Sequence, residues 1–152
     1  MKSHLYFLIA ILVVLLDQIT KLLARSFIGP FDTIKVSPFL HLVSVRNEGA
    51  AFGLFKGFGN IPFIAISLIA AMVVIVLLVR GKEERFGLAL ILGGAIGNMI
   101  DRITMGSVTD FVDVFVGRFH WPAFNVADSA LTVGLVVMVV GSFIHLKQKE
   151  KF

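Results

Sequence analysis

Four stretches of the chain are apolar on every side rather than along one stripe. Residues 5–23, 61–79, 86–105 and 126–146 each run for about the 20 residues that an α-helix needs to cross a hydrocarbon core about 30 Å thick. The pattern predicts four transmembrane helices. Between the first two, residues 24–60 change character: Pro30 and Pro38 punctuate the segment, and Phe39 to Val45 is rich in strand-forming residues. A small external β-sheet is expected there. Residues 49–59 mix four glycines with Phe and Leu, which predicts a mobile, surface-lying external helix with its aromatics toward lipid, or alternatively a loop packed on the helices. The expected fold class is therefore an all-α membrane protein of four transmembrane helices with a small external β-sheet, residues 1–152 forming one integral membrane domain. The first span carries Asp17 and Lys21 and lacks an Ala-x-Ala-like cleavage site after it, so it is expected to be retained rather than removed as a signal peptide.

Composition sharpens this picture. Hydrophobic residues make up 57% of the chain and charged residues 16%, against about 45–50% and about 25% in a soluble domain. The mean hydropathy is +0.93. The absence of cysteine excludes disulfides, thiolate nucleophiles, iron–sulfur clusters and cysteine-ligated zinc. The net charge of +4 is read as a topology signal rather than as a nucleic-acid footprint, because Lys2, Arg80, Lys82, Arg85, Lys147, Lys149 and Lys151 flank the spans. Their positions predict cytoplasmic termini and an external 24–60 segment, although Arg25, Lys35, Arg46 and Lys56 within that segment run against the bias.

An ionisable residue inside a span is costly and must face protein, water or a partner. With outward-running first and third helices, Asp17 and Lys21, one turn apart, lie in the outer half of the first, and Asn98, Asp101 and Arg102 lie at the outer end of the third. Spacing places Asn98 beside both Asp101 and Arg102. Gly93, Gly94 and Gly97 just below them predict close helix packing. Asp110 follows the third span and Asn125 and Asp128 open the fourth, again on the outer side. Acids, amides and bases from four segments thus converge on one leaflet level. Each has a structural alternative: an intrahelical ion pair for Asp17 and Lys21, a headgroup anchor for Asp101 and Arg102, and a helix cap for Asp128 with Asn125. If residues 108–116 are extended, Asp110 and Asp113 point to opposite faces, so at most one faces the centre.

Two carboxylates that share a proton can hydrolyse a peptide bond without metal or covalent intermediate, one as general base on water and the other as general acid. Held close, they cannot both ionise freely. No His-Glu-x-x-His, no Gly-x-Ser-x-Gly and no clustered histidine is present, and Ser129 has no neighbouring base in sequence. Spacing leaves open a divalent-metal site of Asp and Asn side chains. Composition and spacing are also compatible with proton-coupled transport, or with a non-enzymatic assembly factor. A transporter, however, should carry polar residues through the inner halves of its spans, and these are nearly free of them.

Five segments add a resemblance. Leu16-Asp17-Gln18-Ile19-Thr20-Lys21, Arg46-Asn47-Glu48-Gly49-Ala50-Ala51-Phe52-Gly53, Gly93-Gly94-Ala95-Ile96-Gly97-Asn98-Met99-Ile100-Asp101-Arg102, Val108-Thr109-Asp110-Phe111 and Phe124-Asn125-Val126-Ala127-Asp128-Ser129 resemble, in order, the signature blocks of the lipoprotein signal peptidase (signal peptidase II) family. The resemblance implies a bacterial inner-membrane aspartic endopeptidase with Asp110 and Asp128 as the catalytic dyad. It implies that Asn47, Asn98, Arg102 and Asn125 line the site, with Asp17, Lys21 and Asp101 supporting it. The implied substrate is a diacylglyceryl-modified prolipoprotein, cut before its lipidated cysteine on the outer face of the membrane. Membrane lipid and the peptide antibiotic globomycin are the other implied partners; no metal or other cofactor is expected.

Overall fold

The computed structural model describes residues 3–49, 59–81 and 84–149. In chain order it contains α1 (Ser3–Phe27), β1 (Ile34–Ser37), β2 (Leu40–Asn47), α2 (Ile61–Arg80), α3 (Arg85–Met105), β3 (Val108–Val116), β4 (Phe119–His120) and α4 (Val126–Lys149). All four helices are long and apolar enough to cross a membrane. They overlap the four predicted spans, and the expected strand is β2. The surface-lying helix expected at 49–59 falls almost wholly on residues 50–58, which lie outside the described residues.

The spans are inverted relative to a soluble bundle. On α1 the residues Leu8, Ile11, Leu12, Leu15, Ile19 and Leu22 are exposed, whereas Ala10, Asp17, Lys21 and Ala24 are buried. Lipid is as apolar as leucine, so packing of small residues and pairing of polar ones hold such helices together rather than hydrophobic burial. At the centre stands α3, with 56% of its span buried, against 22%, 17% and 17% for α1, α2 and α4. Its glycines allow this. A Cβ on Gly94 would lie 2.5 Å from the Ala127 carbonyl oxygen of α4, and one on Gly93 would lie 2.6 Å from Val13 Cβ and 2.8 Å from the Ala10 carbonyl oxygen of α1. A larger residue at either position would force a neighbouring helix away.

The connections α1–α2 and α3–α4 meet in one antiparallel sheet, ordered β1-β2-β3-β4, at the end of the bundle opposite the α2–α3 link. The β2–β3 register sets Arg46 opposite Thr109 and Asn47 opposite Val108, with an irregularity between Leu42 and Val45. Two chain turns fix this end. Gly106 closes α3 in the left-handed region at φ 72°, where a side chain would be strained, and its N–H bonds the Arg102 carbonyl at 3.2 Å. The Asn60 carboxamide, at the start of α2, donates to the Gly106 carbonyl. Two apolar clusters result: Ala10, Ala71, Val74, Leu78, Leu88 and Leu92 far from the sheet, and Ala24, Ile28 and Phe111 beneath it. Buried polar side chains, Asp17, Lys21, Asn98, Asp101 and Asn125 among them, cluster toward the sheet end.

Candidate active site

The opening turn of α4 is a reciprocal capping box. Asn125 Oδ1 accepts the Asp128 N–H at 2.9 Å, and Asp128 Oδ2 accepts the Asn125 N–H at 3.2 Å. Capping is therefore real for Asp128, and it also fixes the carboxylate in space. Its other oxygen, Oδ1, accepts Asn98 Nδ2 at 2.8 Å from α3. Residues 108–116 are extended as β3, and the two acids part accordingly: Asp110 is buried and faces the bundle, while Asp113 sits apart, 2.9 Å from His120 Nδ1 and 3.7 Å from His41 Nδ1. Asp110 Oδ1 accepts Asn125 Nδ2 at 2.6 Å, and its Oδ2 accepts Asn47 Nδ2 at 3.0 Å.

The end of each carboxamide that carries the NH₂ follows from what the other end meets. Asn47 Oδ1 accepts the Gly49 N–H at 3.0 Å, Asn125 Oδ1 accepts the Asp128 N–H at 2.9 Å, and Asn98 Oδ1 accepts the Lys21 ammonium at 2.9 Å. All three partners can only donate. Each asparagine must therefore turn its NH₂ toward an aspartate, and with the Asn125 main-chain N–H this gives every one of the four carboxylate oxygens of Asp110 and Asp128 a donor. A carboxyl proton on either residue consequently points to the other carboxylate, to water or to a ligand. Asp110 holds such a proton up to about pH 6, against an ordinary 3.8: burial penalises the charged form most, the Asp128 carboxylate adds to this, and the hydrogen bonds from Asn47 and Asn125 oppose it.

Both aspartates open onto one cleft of about 1040 Å³. Its polar end carries Asn47, Asn98, Arg102, Asp110 and Asp128, and its remainder runs between spans over Ile66, Ala70, Ala95, Leu131 and Val133. The Arg102 guanidinium lies 4.9 Å over the Phe63 ring of α2, and Nη2 donates to the Gly49 carbonyl at 3.3 Å. Ser129 Oγ donates to the Asn125 carbonyl at 3.0 Å, which is a helix-start contact.

Beneath the cleft the remaining predicted residues form one buried network. Lys21 pairs with Asp17 at 2.8 Å, so the intrahelical ion pair exists, but Lys21 also lies 3.6 Å from Asp101, and Asp17 Oδ1 accepts the Ala127 N–H of α4 at 2.9 Å. Asp101 is buried rather than at a headgroup, accepting the Thr109 N–H at 2.9 Å. Removing one member of a buried charge network leaves an uncompensated charge, typically at a cost of about 3–5 kcal/mol. Asn98 lies one turn from Asp101 and Arg102 on α3, and among the described residues its side-chain hydrogen bonds run to Lys21, Asn125 and Asp128. Two participants were not singled out from sequence. Gln18 Nε2 donates to the Gly97 carbonyl at 3.1 Å and to Asp101 at 3.2 Å, and Arg25 lies 3.5 Å from Asp101 and 2.9 Å from Thr109 Oγ1. The i+4 series Asp17, Lys21, Arg25 was the available signal for the second.

Four candidate spans, three of them lining a cleft with two hydrogen-bonded carboxylates at one end, define a polytopic membrane protein with an acidic site of the kind hydrolases use. The comparisons narrow this. The family model described as Signal peptidase (SPase) II matches residues 9–144. The lipoprotein signal peptidase of Thermodesulfovibrio yellowstonii is 46% identical over 128 residues, covering 84% of this chain and 87% of that one. The lipoprotein signal peptidase of Francisella tularensis subsp. novicida is 42% identical over 151 residues, 94% of each chain. Among solved structures, a bacterial membrane enzyme determined by the in meso method at 2.3 Å resolution superposes with a TM-score of 0.88 at 32% identity, over 96% of this chain and 92% of that one. This chain belongs to the signal peptidase II family and is a membrane-embedded peptidase.

Proposed function

We propose that Asp110 and Asp128 are the catalytic pair of an aspartic endopeptidase that removes the signal peptide from diacylglyceryl-modified prolipoproteins, cutting before the lipidated cysteine. The observation that carries this reading is the hydrogen bonding of the pair: all four carboxylate oxygens meet N–H donors, so a carboxyl proton needs an acceptor other than these groups, and both aspartates border the cleft. Water lying between the carboxylates gives a proton to the ionised one as its oxygen attacks the scissile carbonyl. The protonated partner gives its proton to the carbonyl oxygen; as the resulting tetrahedral diol collapses, the partner takes a proton back from a hydroxyl and the other aspartate passes the water-derived proton to the leaving amine, which restores the one-proton pair. Asn47, Asn98 and Asn125 hold the pair, Arg102 lines the cleft, and Asp17, Lys21 and Asp101 support the floor. The apolar remainder of the cleft suits a substrate that keeps its acyl chains in the leaflet, where each buried CH₂ is worth about 0.8 kcal/mol. The buried cluster far from the sheet, Ala10, Ala71, Val74, Leu78, Leu88 and Leu92, is apolar, which favours this reading over a transporter, whose path would need polar side chains there. Purified protein incubated with a diacylglyceryl prolipoprotein should release its signal peptide, chelator should leave the rate unchanged, and globomycin should compete. Absence of release, or activity that tracks added metal, would count against the reading.

Residues 1–152 act in this proposal as one peptidase unit in the bacterial inner membrane, surrounded by lipid, with the sheet end and the dyad toward the outer face. Because the chain has no native cysteine, single cysteines placed at Ser37 and Lys82 report side directly. They should label from opposite sides of the membrane, Lys82 from the cytoplasm; labelling from one side would overturn the orientation.

A further inference from the structure

Lys21 heads the largest fully buried side chains among the described residues, and the chemistry above gives it no proton to move. Its ammonium contacts Asp17 at 2.8 Å, Asp101 at 3.6 Å and Asn98 Oδ1 at 2.9 Å. Charge neutralisation accounts for the two carboxylates but not for the carboxamide. Of the three asparagines around the dyad, Asn47 and Asn125 take their orientation from main-chain N–H groups, which no substitution of a side chain removes. Asn98 takes its orientation from a side chain. Asn125 Nδ2 also reaches Asn98 Oδ1, at 3.3 Å, but it is shared with Asp110 at 2.6 Å and the Thr109 carbonyl at 3.3 Å, so that hold is the weaker one.

Resting on the dyad assignment above, we propose that Lys21 is a positioning residue for catalysis: by holding the Asn98 oxygen it obliges the Asn98 NH₂ to face Asp128 Oδ1. Without that donor the carboxamide can turn over. Its oxygen, which only accepts, would then face Asp128, favouring a protonated carboxyl and opposing the carboxylate. Loss of the positive charge acts in the same direction. The one-proton state of the pair is then reached only at higher pH, so the acid limb of the pH–rate profile moves up. The charged groups around this point are Asp17 and Arg25 from α1, Asp101 and Arg102 from α3, Asp110 from β3 and Asp128 from α4, with Arg46 and Glu48 at the end of β2 lining the cleft. α2 presents Phe63 there.

The test uses the full chain in detergent with a lipidated prolipoprotein, comparing Lys21→Met with Lys21→Gln. Both lose the charge, but Gln keeps an NH₂ for Asn98. For Lys21→Met, kcat should fall about 10- to 100-fold, the scale on which outer-shell partners act in metal sites, with KM within about twofold and the acid limb at higher pH. Lys21→Gln should restore most of kcat and return the limb toward wild type. Equal impairment of the two overturns the proposal, since charge alone then explains the loss. A folded Lys21→Met with wild-type kcat and acid limb overturns it as well. If thermal unfolding shows that either variant fails to fold, the same pair is compared in an Asp17→Asn background, which removes one buried charge of each sign. Asp128→Asn run alongside keeps the two questions apart: if it still cleaves, the dyad assignment fails whatever Lys21 does.

Discussion

Asp110→Asn and Asp128→Asn, made singly, should each lower cleavage of a lipidated prolipoprotein by at least about 10²- to 10⁴-fold, the usual range for removing a general acid or base. The double variant should be little worse than either, as the proposed dyad would act as one unit. The substitution also has a structural cost that follows from the donors around the pair. Asp110 lies between Asn47 Nδ2 and Asn125 Nδ2, and Asp128 between Asn98 Nδ2 and the Asn125 N–H. An introduced carboxamide offers one acceptor and one donor to two donors, so one contact becomes N–H against N–H, costing about 1–3 kcal/mol if buried and unrelieved. Thermal unfolding in detergent should show folded but mildly destabilised protein. Asp113→Asn, on the other face of β3 beside His41 and His120, serves as the control and should keep most activity. Folded single variants that cleave near the wild-type rate would transfer Asp128 to a capping role alone.

Asn125→Ala should have the next largest effect. This fully buried side chain donates to Asp110, accepts the Asp128 N–H and lies within 3.3 Å of Asn98 Oδ1 and the Thr109 carbonyl. Loss of the cap costs about 1 kcal/mol. Loss of one oriented donor at a reacting group costs about 10²- to 10³-fold in kcat. Asn125→Ser separates the two: a serine caps the helix but is too short to reach Asp110 as well, so stability should return without activity. Recovery of both in Asn125→Ser would mean that Asn125 acts only as a cap.

The sequence-based reading reached the spans because a run of about 20 apolar residues has few alternatives in water or lipid. It reached Asp17, Lys21, Asn98, Asp101 and Asp128 because polar groups within such runs are conspicuous for their cost. The sheet was only half legible. β2 carries its own strand signal, but pairing it with β3 joins residues more than 60 positions apart, and β4 is two residues long. The hydrogen-bond partners of Asn98 were not legible for a related reason: spacing of three or four names neighbours on one helix, whereas Lys21, Asn125 and Asp128 come to it from α1 and from the start of α4. Which helices meet depends on the glycines of α3, and their role is visible only once Gly93 is set against Val13 and Gly94 against Ala127.

The donor-lined carboxylates also set terms for inhibitors. Every oxygen of Asp110 and Asp128 already has one N–H in place, so a ligand entering the cleft meets the remaining lone pairs together with a proton that needs an acceptor. A ligand carboxylate would be repelled by the ionised member, and an ammonium would leave the proton of the other without an acceptor. A hydroxyl, which accepts from one aspartate while donating to its partner, answers both. With Asp110 and Asp128 as the proposed dyad, an uncharged secondary alcohol in place of the scissile carbonyl, carried on an apolar tail that follows Ile66, Ala95 and Leu131, is the warhead expected to bind this cleft.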